Sequence, residues 1–108
     1  MPRTAVHPGE HLAEQLKELG MSAAELGRQL KVPTNRITGI LIGKRAITGD
    51  SALRLAHFWR TSAEFWLNLQ KLYDLRLAEA KTGAAIRRLP RLRGGDKSEP
   101  RKSRARAT

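Results

Sequence analysis

The sequence predicts an all-α protein with five helices, and three observations support this prediction. Apolar residues recur at spacings of three and four along most of the chain, as they do on one face of a helix. No segment shows the apolar and polar alternation of a half-buried strand. N-capping residues, prolines and glycines divide the pattern into short segments. The chain has 108 residues, enough for one domain with a modest core.

The first predicted helix begins at Pro8 and ends at Gly20. Proline is tolerated in the first turn because its missing N–H would have no partner there. Glycine commonly follows the last turn because it adopts a left-handed backbone without steric cost. The partial apolar stripe of this helix consists of His11, Leu12, Leu16 and Leu19.

Residues 21–45 (MSAAELGRQLKVPTNRITGILIGKR) predict two short helices joined by a tight turn. Ser22 is a favourable N-cap, and Glu25 three residues later predicts a capping box. The first of the two helices ends before Pro33, which cannot donate a hydrogen bond and disfavours a helical residue before it. This layout is typical of a helix-turn-helix DNA-binding unit.

The second helix of the pair is predicted to follow the cap Thr34, to cover residues 35–42 and to close at Gly43. Its buried stripe repeats at i, i+3 and i+4 and consists of Ile37, Ile40 and Leu41. In a helix-turn-helix, the N-terminal residues of this second helix meet base edges in the major groove. Arginine reads guanine there, asparagine reads adenine, and threonine serves either role or contacts a thymine methyl group.

Polar residues at the start of this second helix therefore predict contacts with double-stranded DNA. The predicted base-contacting residues are Thr34, Asn35, Arg36 and Thr38, and the predicted phosphate-contacting pair is Lys44 and Arg45. The alternative interpretation of the same pattern is a plain helical hairpin whose polar face is only solvated.

The fourth and fifth predicted helices also begin at capping residues. Thr48 or Asp50 caps the fourth, and Thr61-Ser62 opens the longer fifth, with Glu64 three residues after Thr61. The apolar residues of the fourth helix are Leu53, Ala56 and Phe58. The wide stripe of the fifth consists of Phe65, Trp66, Leu69, Leu72, Tyr73 and Leu77.

Part of this wide stripe is expected to form a homodimer seam, because operators with two-fold symmetry are bound by dimers. The predicted seam residues are Trp66, Leu69, Tyr73 and Leu77. Base stacking, as in single-strand-binding proteins, is the other role open to the aromatic residues Phe58, Trp59, Phe65 and Trp66. The helical spacing of the last two favours core packing.

The positive charge is concentrated near the C-terminus. The net charge is +11, from 21 Lys and Arg against 10 Asp and Glu. Residues 1–81 carry 12 basic and 8 acidic residues (+4), and residues 82–108 carry 9 basic and 2 acidic residues (+7). The predicted domain over residues 1–81 is thus only mildly basic, which suits a specific DNA reader.

The segment over residues 82–108 is predicted to be a basic flexible tail. It is rich in Arg, Lys, Gly, Ser and Pro, and only residues 84–89 could form a short basic turn. Residues 90–108 are expected to be disordered, because they cannot bury enough apolar surface to offset their chain entropy. Two roles stay open: non-specific phosphate contacts, or solubility alone.

Composition argues against several other classes of protein. The chain has no cysteine, no apolar run near the ~20 residues of a membrane span, and no apolar signal segment at its start. The three histidines, His7, His11 and His57, do not suffice for a metal site. The glutamates at positions 10, 14 and 18 suit a solvated face better than a catalytic pair. We expect a cytoplasmic protein that is not an enzyme and has no cofactor, metal, membrane contact or small-molecule substrate.

Residues 6–80 resemble the HigA-type antitoxins, a group within the phage-repressor-like helix-turn-helix proteins. The most specific matches are HPGE at 7–10, GKRAIT at 43–48 and TSAEFWLNLQ at 61–70. The resemblance implies five helices, a homodimer, no cofactor and repression of the protein's own operon by binding operator DNA. It also implies a partner, a HigB-type toxin that acts as a ribosome-dependent mRNA endonuclease.

The resemblance places the DNA contacts at the residues already named and adds Ser22, whose hydroxyl and helix N-terminus suit a phosphate. Three positions depart from the family pattern: Lys31 replaces the frequent turn glycine, Gly27 a frequent alanine, and Thr38-Gly39 a polar pair. Gly39 should weaken the second helix by about 1 kcal/mol relative to alanine. The preferred bases are therefore less predictable than the binding mode.

Two other functions remain open at this point. One is a stand-alone phage-type or metabolic repressor without a toxin, against which the run at residues 61–70 argues. The other is a helical adaptor that binds only protein. Replacing Arg36 distinguishes the DNA-binding hypothesis from the adaptor hypothesis, because only a DNA-binding protein would lose operator affinity.

Overall fold

The computed structural model describes residues 5–93, which form five helices and no strand. The helices are α1 (Pro8–Leu19), α2 (Ala23–Leu30), α3 (Thr34–Leu41), α4 (Gly49–Trp59) and α5 (Ala63–Arg87). The all-α prediction with five helices is therefore confirmed. Within residues 5–93, no helix combines the length and the apolar character needed to cross a membrane.

One apolar core joins all five helices. Helix α3 packs against α1 and α2, while α4 packs against α5 and α2. The buried core residues are Leu12, Leu16, Leu26, Leu30, Ile37, Ile40, Ile47, Ala52, Leu55, Ala56 and Trp66. The predicted stripe of α3 is confirmed at Ile37 and Ile40, and Leu41 is partly buried against the same core. In α4, by contrast, Leu53 is exposed, because Ala52 and Leu55 occupy the inward face.

The N-terminus of α1 packs unusually close to α3. His7 caps α1, with its Nδ1 atom accepting a hydrogen bond from the Gly9 backbone N–H at 2.9 Å. A Cβ atom at residue 9 would lie 1.9 Å from the carbonyl oxygen of Ile40, so only glycine fits there. The imidazole of His7 also meets the ring of Tyr73 edge-on, at 4.7 Å between centroids. The HPG sequence thus fixes α1 against the C-terminal end of α3 and against α5.

The predicted Ser22 cap of α2 is confirmed, whereas the predicted capping box and the predicted cap of α3 are not. The Ser22 hydroxyl accepts a hydrogen bond from the Glu25 N–H at 3.1 Å, but the Glu25 carboxylate contacts Arg28 and Gln29 instead of completing a capping box. Pro33 occupies the N-cap position of α3, and Thr34 is its first helical residue. The prediction of a Thr34 side-chain cap was therefore wrong by one position.

The turn between α2 and α3 uses a left-handed residue other than glycine. Lys31 ends α2 with φ = 62°, a conformation that carries a steric cost for residues with a Cβ atom. The N–H of the next residue, Val32, donates to the carbonyl of Gly27 at 3.0 Å. A Cβ atom at residue 27 would lie 3.0 Å from the Val32 carbonyl oxygen. Gly27 thus lets the turn fold tightly onto α2.

Helices α4 and α5 are each capped by one of the two residues predicted for that role. Thr48 rather than Asp50 caps α4, since its hydroxyl accepts from the Ser51 N–H at 3.4 Å. Ser62 caps α5 by accepting from the Phe65 N–H at 3.0 Å, and the Thr61 hydroxyl instead accepts from the indole Nε1–H of Trp66 at 3.1 Å. The pairing of Thr61 with Glu64 was thus a wrong prediction.

Helix α5 extends beyond the predicted end of the domain. It passes residue 81 without a break and ends at Arg87, so the turn considered over 84–89 mostly belongs to α5. The division into a domain over residues 1–81 and a tail over 82–108 stays a prediction. The larger part of that tail, residues 94–108, lies outside the described residues, as do residues 1–4.

Candidate nucleic-acid interface

Helices α2 and α3 present the predicted helix-turn-helix as a packed unit. Ile37 and Ile40 are buried and fix one side of α3 on the core. Thr34, Asn35 and Thr38 are exposed in its first turns. The Thr38 hydroxyl donates to the Asn35 carbonyl at 3.3 Å. Three of the four predicted base-contacting residues are therefore accessible to DNA.

The fourth residue, Arg36, is half-buried and held by a carboxylate from another helix. Its Nη1 atom lies 2.6 Å from Oδ2 of Asp50, in the first turn of α4. The same oxygen accepts from Nε of Arg54 at 2.9 Å. Arg54 in turn donates through Nη1 to the carbonyl oxygen of Leu30 at 2.7 Å, at the end of α2. These contacts connect the start of α3 to α2 and α4.

The carboxylates of Asp50 and Glu25, each hydrogen-bonded to arginine, are stabilised in their charged forms. Hydrogen bonds from Arg54 and Arg36 lower the pKa of Asp50 below its usual value. Hydrogen bonds from Gln29 and then Arg28 lower the pKa of Glu25 in the same way. Both carboxylates are thus ionised at neutral pH, and each offsets positive charge near the α2–α3 unit.

The loop after α3 is tied back onto Gly39. The backbone N–H groups of Lys44 and Arg45 donate to the Gly39 carbonyl at 2.9 and 3.0 Å. A Cβ atom at residue 39 would lie 2.8 Å from Cγ and Cδ of Arg45, so the Arg45 stem lies across the helix at that point. Gly43, with φ = 81°, permits the sharp turn between α3 and this pair. The glycine that weakens α3 as a helix former therefore makes room for a predicted DNA contact.

Ser22 lies at the N-terminus of α2 with an exposed side chain. Its oxygen is used as the cap acceptor for Glu25. The hydroxyl can still donate its proton to a phosphate oxygen, since a hydroxyl both donates and accepts. The structure therefore leaves the predicted role of Ser22 available.

Comparison with known proteins identifies the family to which the chain belongs. The helix-turn-helix family model matches residues 12–66, more than half of the chain. An addiction-module antidote protein of the HigA family from Coxiella burnetii shares 50% identity and has a TM-score of 0.81. The similarity covers 83% of this chain and 100% of that one. This chain belongs to the HigA family of helix-turn-helix antitoxins.

Two further relatives are similar to this chain over most of its length. The antitoxin HigA of Pseudomonas aeruginosa, solved with the higBA promoter, is 40% identical, has a TM-score of 0.79 and matches over 82% of this chain and 99% of its own. Virulence-associated protein I of Dichelobacter nodosus is 47% identical over 76 residues, which cover 69% of this chain and 70% of that protein. The HigA resemblance predicted from the sequence is thus confirmed, and the family consists of antitoxins and DNA-binding regulators rather than enzymes.

In this HigA-family protein, one of the predicted dimer-seam residues is buried inside the protein's own core. Trp66 is 1% exposed and lies in the core between Trp59, Phe65 and His11. It was therefore wrongly assigned to the seam. Leu69 and Tyr73 are partly buried, and Leu77 is 46% exposed. These three remain the predicted seam residues.

Two of the three histidines make contacts that support the fold. His7 caps α1, His11 packs against Phe65 and Trp66, and His57 is exposed on α4. Within residues 5–93, no three His, Cys, Asp or Glu side chains are grouped so that they could hold a metal ion.

Sequence reasoning missed the contacts of Asp50 with Arg36 and Arg54. Their spacing of four residues on α4 predicts an ion pair within that helix. The contact of Asp50 with Arg36 spans 14 positions and depends on how α4 packs beside α3, which the local pattern does not specify.

Proposed function

We propose that this protein is a homodimeric antitoxin that represses its own operon by binding operator DNA and neutralises a HigB-type mRNA endonuclease. The first turn of α3 reads bases in the major groove with Thr34, Asn35, Arg36 and Thr38. Lys44, Arg45 and Ser22 contact phosphates on either side. The protein acts in the cytoplasm, where both the operator and the mRNA substrate of such a toxin are found.

The observation that carries the proposal is the exposed polar turn of α3 on a packed α2–α3 unit. Thr34, Asn35 and Thr38 face solvent, and Arg45 lies beside them over Gly39. The Pseudomonas aeruginosa relative that was solved with promoter DNA matches over 82% of this chain. An adaptor that binds only protein would not require an exposed polar turn on a helix-turn-helix unit.

The exposed apolar surface of α5 supports dimerisation through this helix. Leu77 is exposed near the predicted seam residues Leu69 and Tyr73, and Leu72 and Leu75 are also exposed on the same helix. Two-fold pairing of two copies would cover this surface. A dimer that binds half-sites one helical turn apart needs its two α3 helices about 34–36 Å apart.

Footprinting on the promoter fragment upstream of the protein's own gene tests the DNA part of the proposal. We expect one protected site with two related halves, and we expect Asn35→Ala to lose protection there. Lys71→Ala, which removes an exposed charge from α5, serves as the matched control. Equal binding to the promoter fragment and to a base-shuffled fragment would overturn operator recognition.

A growth test addresses the antitoxin part. The small reading frame adjacent to this gene is expressed in a host with and without this protein. Growth arrest that co-expression relieves establishes neutralisation. Arrest without relief, or no arrest, favours a stand-alone repressor instead.

A further inference from the structure

Asp50 joins the base-reading arginine to two other helices. Its Oδ2 atom accepts from Nη1 of Arg36 at 2.6 Å and from Nε of Arg54 at 2.9 Å. Arg54 is itself fixed by its donation to the Leu30 carbonyl at 2.7 Å. The carboxylate is therefore held by Arg54 of its own helix, which is itself bonded to the end of α2. Its position thus does not depend on Arg36 alone.

The described contact with Asp50 uses only the Nη1 atom of Arg36. Asp50 engages Nη1, whereas the Nε–H and Nη2–H donors point in parallel along another edge of the planar guanidinium group. A pair of parallel donors matches the O6 and N7 acceptors of guanine. Arg36 can thus contact guanine without releasing Asp50.

A phosphate contact has a different consequence for the same cluster. The same two parallel donors can also bind a phosphate. Phosphate oxygens, however, are anions that repel the Asp50 carboxylate, whereas the guanine acceptors are neutral. Non-specific binding consists almost wholly of such contacts. A fixed carboxylate beside Arg36 therefore opposes non-specific binding more than it opposes base reading.

We infer that Asp50 is a positioning residue that sets the sequence specificity of DNA binding, by holding Arg36 ready for a guanine and keeping it from phosphates. The inference rests on the proposed operator-binding function. It assigns to α4 a part in specificity, although Asp50 lies outside the α2–α3 unit.

The test compares Asp50→Asn with the wild type on two DNA probes over a range of salt concentrations. One probe is a duplex of the footprinted promoter site, and the other is a shuffled duplex of the same length and composition. Glu79→Gln is the control, because it removes an arginine-paired carboxylate from α5, where Glu79 lies 3.5 Å from Arg76. Asp50→Glu keeps the carboxylate and serves as the conservative variant.

We expect Asp50→Asn to bind the shuffled duplex about 3- to 10-fold more tightly and to steepen its salt dependence by about one phosphate contact. The ratio of specific to non-specific affinity should fall by about tenfold. Replacing guanines within the site should also matter less to this variant than to the wild type. Asp50→Glu should retain the wild-type salt dependence.

Repeating the substitution in an Arg36→Ala background separates positioning from a general effect of charge. Without Arg36, Asp50→Asn should raise shuffled-duplex affinity much less than it does with Arg36 present, because only the direct repulsion between the carboxylate and phosphates is then removed. The inference is overturned if Asp50→Asn has the same effect with and without Arg36, or if that variant matches the Glu79→Gln control throughout. A wild-type protein that does not distinguish the two duplexes would instead overturn operator recognition itself.

Discussion

The stem of Arg45 crosses α3 directly over the backbone of Gly39. A Cβ atom at residue 39 would come within 2.8 Å of both Cγ and Cδ of Arg45. The loop that carries Lys44 is tied to the same residue by two backbone hydrogen bonds. The position of Arg45, which we propose contacts DNA, thus depends on a helix residue that has no side chain.

Gly39→Ala should therefore weaken operator binding without unfolding the protein. Alanine favours the helix by about 1 kcal/mol over glycine, but its methyl group displaces the Arg45 stem. We expect a melting temperature equal to or above that of the wild type, together with weaker operator affinity. Gly49→Ala is the matched control, because no atom lies within 4 Å of its added Cβ. Unchanged affinity in Gly39→Ala would contradict the placement of Arg45 at the DNA.

Arg36→Ala should cost about 1–3 kcal/mol of binding free energy on the operator, the usual range for losing one bidentate base contact. The loss should be concentrated at a guanine and should be much smaller on shuffled DNA. Operator affinity measured on single-base variants of the site locates that guanine. If Arg36→Ala binds the operator as tightly as the wild type, α3 does not read bases through this residue.

Much of the fold follows from local sequence signals. Gly20 and Gly43 adopt the left-handed backbone expected where a helix ends, and Ser22 caps α2 as predicted. Ile37 and Ile40 face the core because their spacing fits one side of a helix. Caps and periodicity depend on residues within one turn, which is why a single sequence is enough to predict them.

Features that depend on packing between helices were not predictable in this way. The wide stripe of α5 does not reveal which of its residues face the protein's own core, so Trp66 was assigned to the seam although it is buried. The contact between Arg36 and Asp50 depends on the placement of α4 beside α3. The close contact of Gly9 with the carbonyl of Ile40 likewise depends on how α1 packs against α3.

Gly9→Ala should destabilise the whole domain. The added methyl group would lie 1.9 Å from a backbone oxygen of α3, which cannot move aside as a flexible side chain could. Overpacking of this kind costs about 1–3 kcal/mol and occasionally more. Urea unfolding measures the loss, and Gly49→Ala again provides the control. A variant as stable as the wild type would show that α1 and α3 are not in this close contact.

Acidification should lower the free energy of unfolding through Glu25 and Asp50. Their hydrogen bonds lower both pKa values in the folded protein, from usual values of 4.5 and 3.8. The stabilisation is therefore complete above those usual values and is lost as the pH falls through the lower folded-state values. Urea unfolding between about pH 6 and about pH 2 measures this dependence. The double variant Glu25→Gln, Asp50→Asn should show a shallower decline, and an unchanged decline would contradict these assignments.

Leu77→Asp should convert the proposed homodimer into monomers. Leu77 is 46% exposed on α5, so the substitution leaves the core of one protomer intact while placing a charge in the predicted seam. Leu69→Asp should have the same effect but also disturb the core, against which Leu69 packs. Leu53→Asp is the control, since Leu53 is 65% exposed on α4. Light scattering gives the mass of each variant and circular dichroism its helix content. A Leu77→Asp variant that is folded and still dimeric would place the seam elsewhere on the molecule.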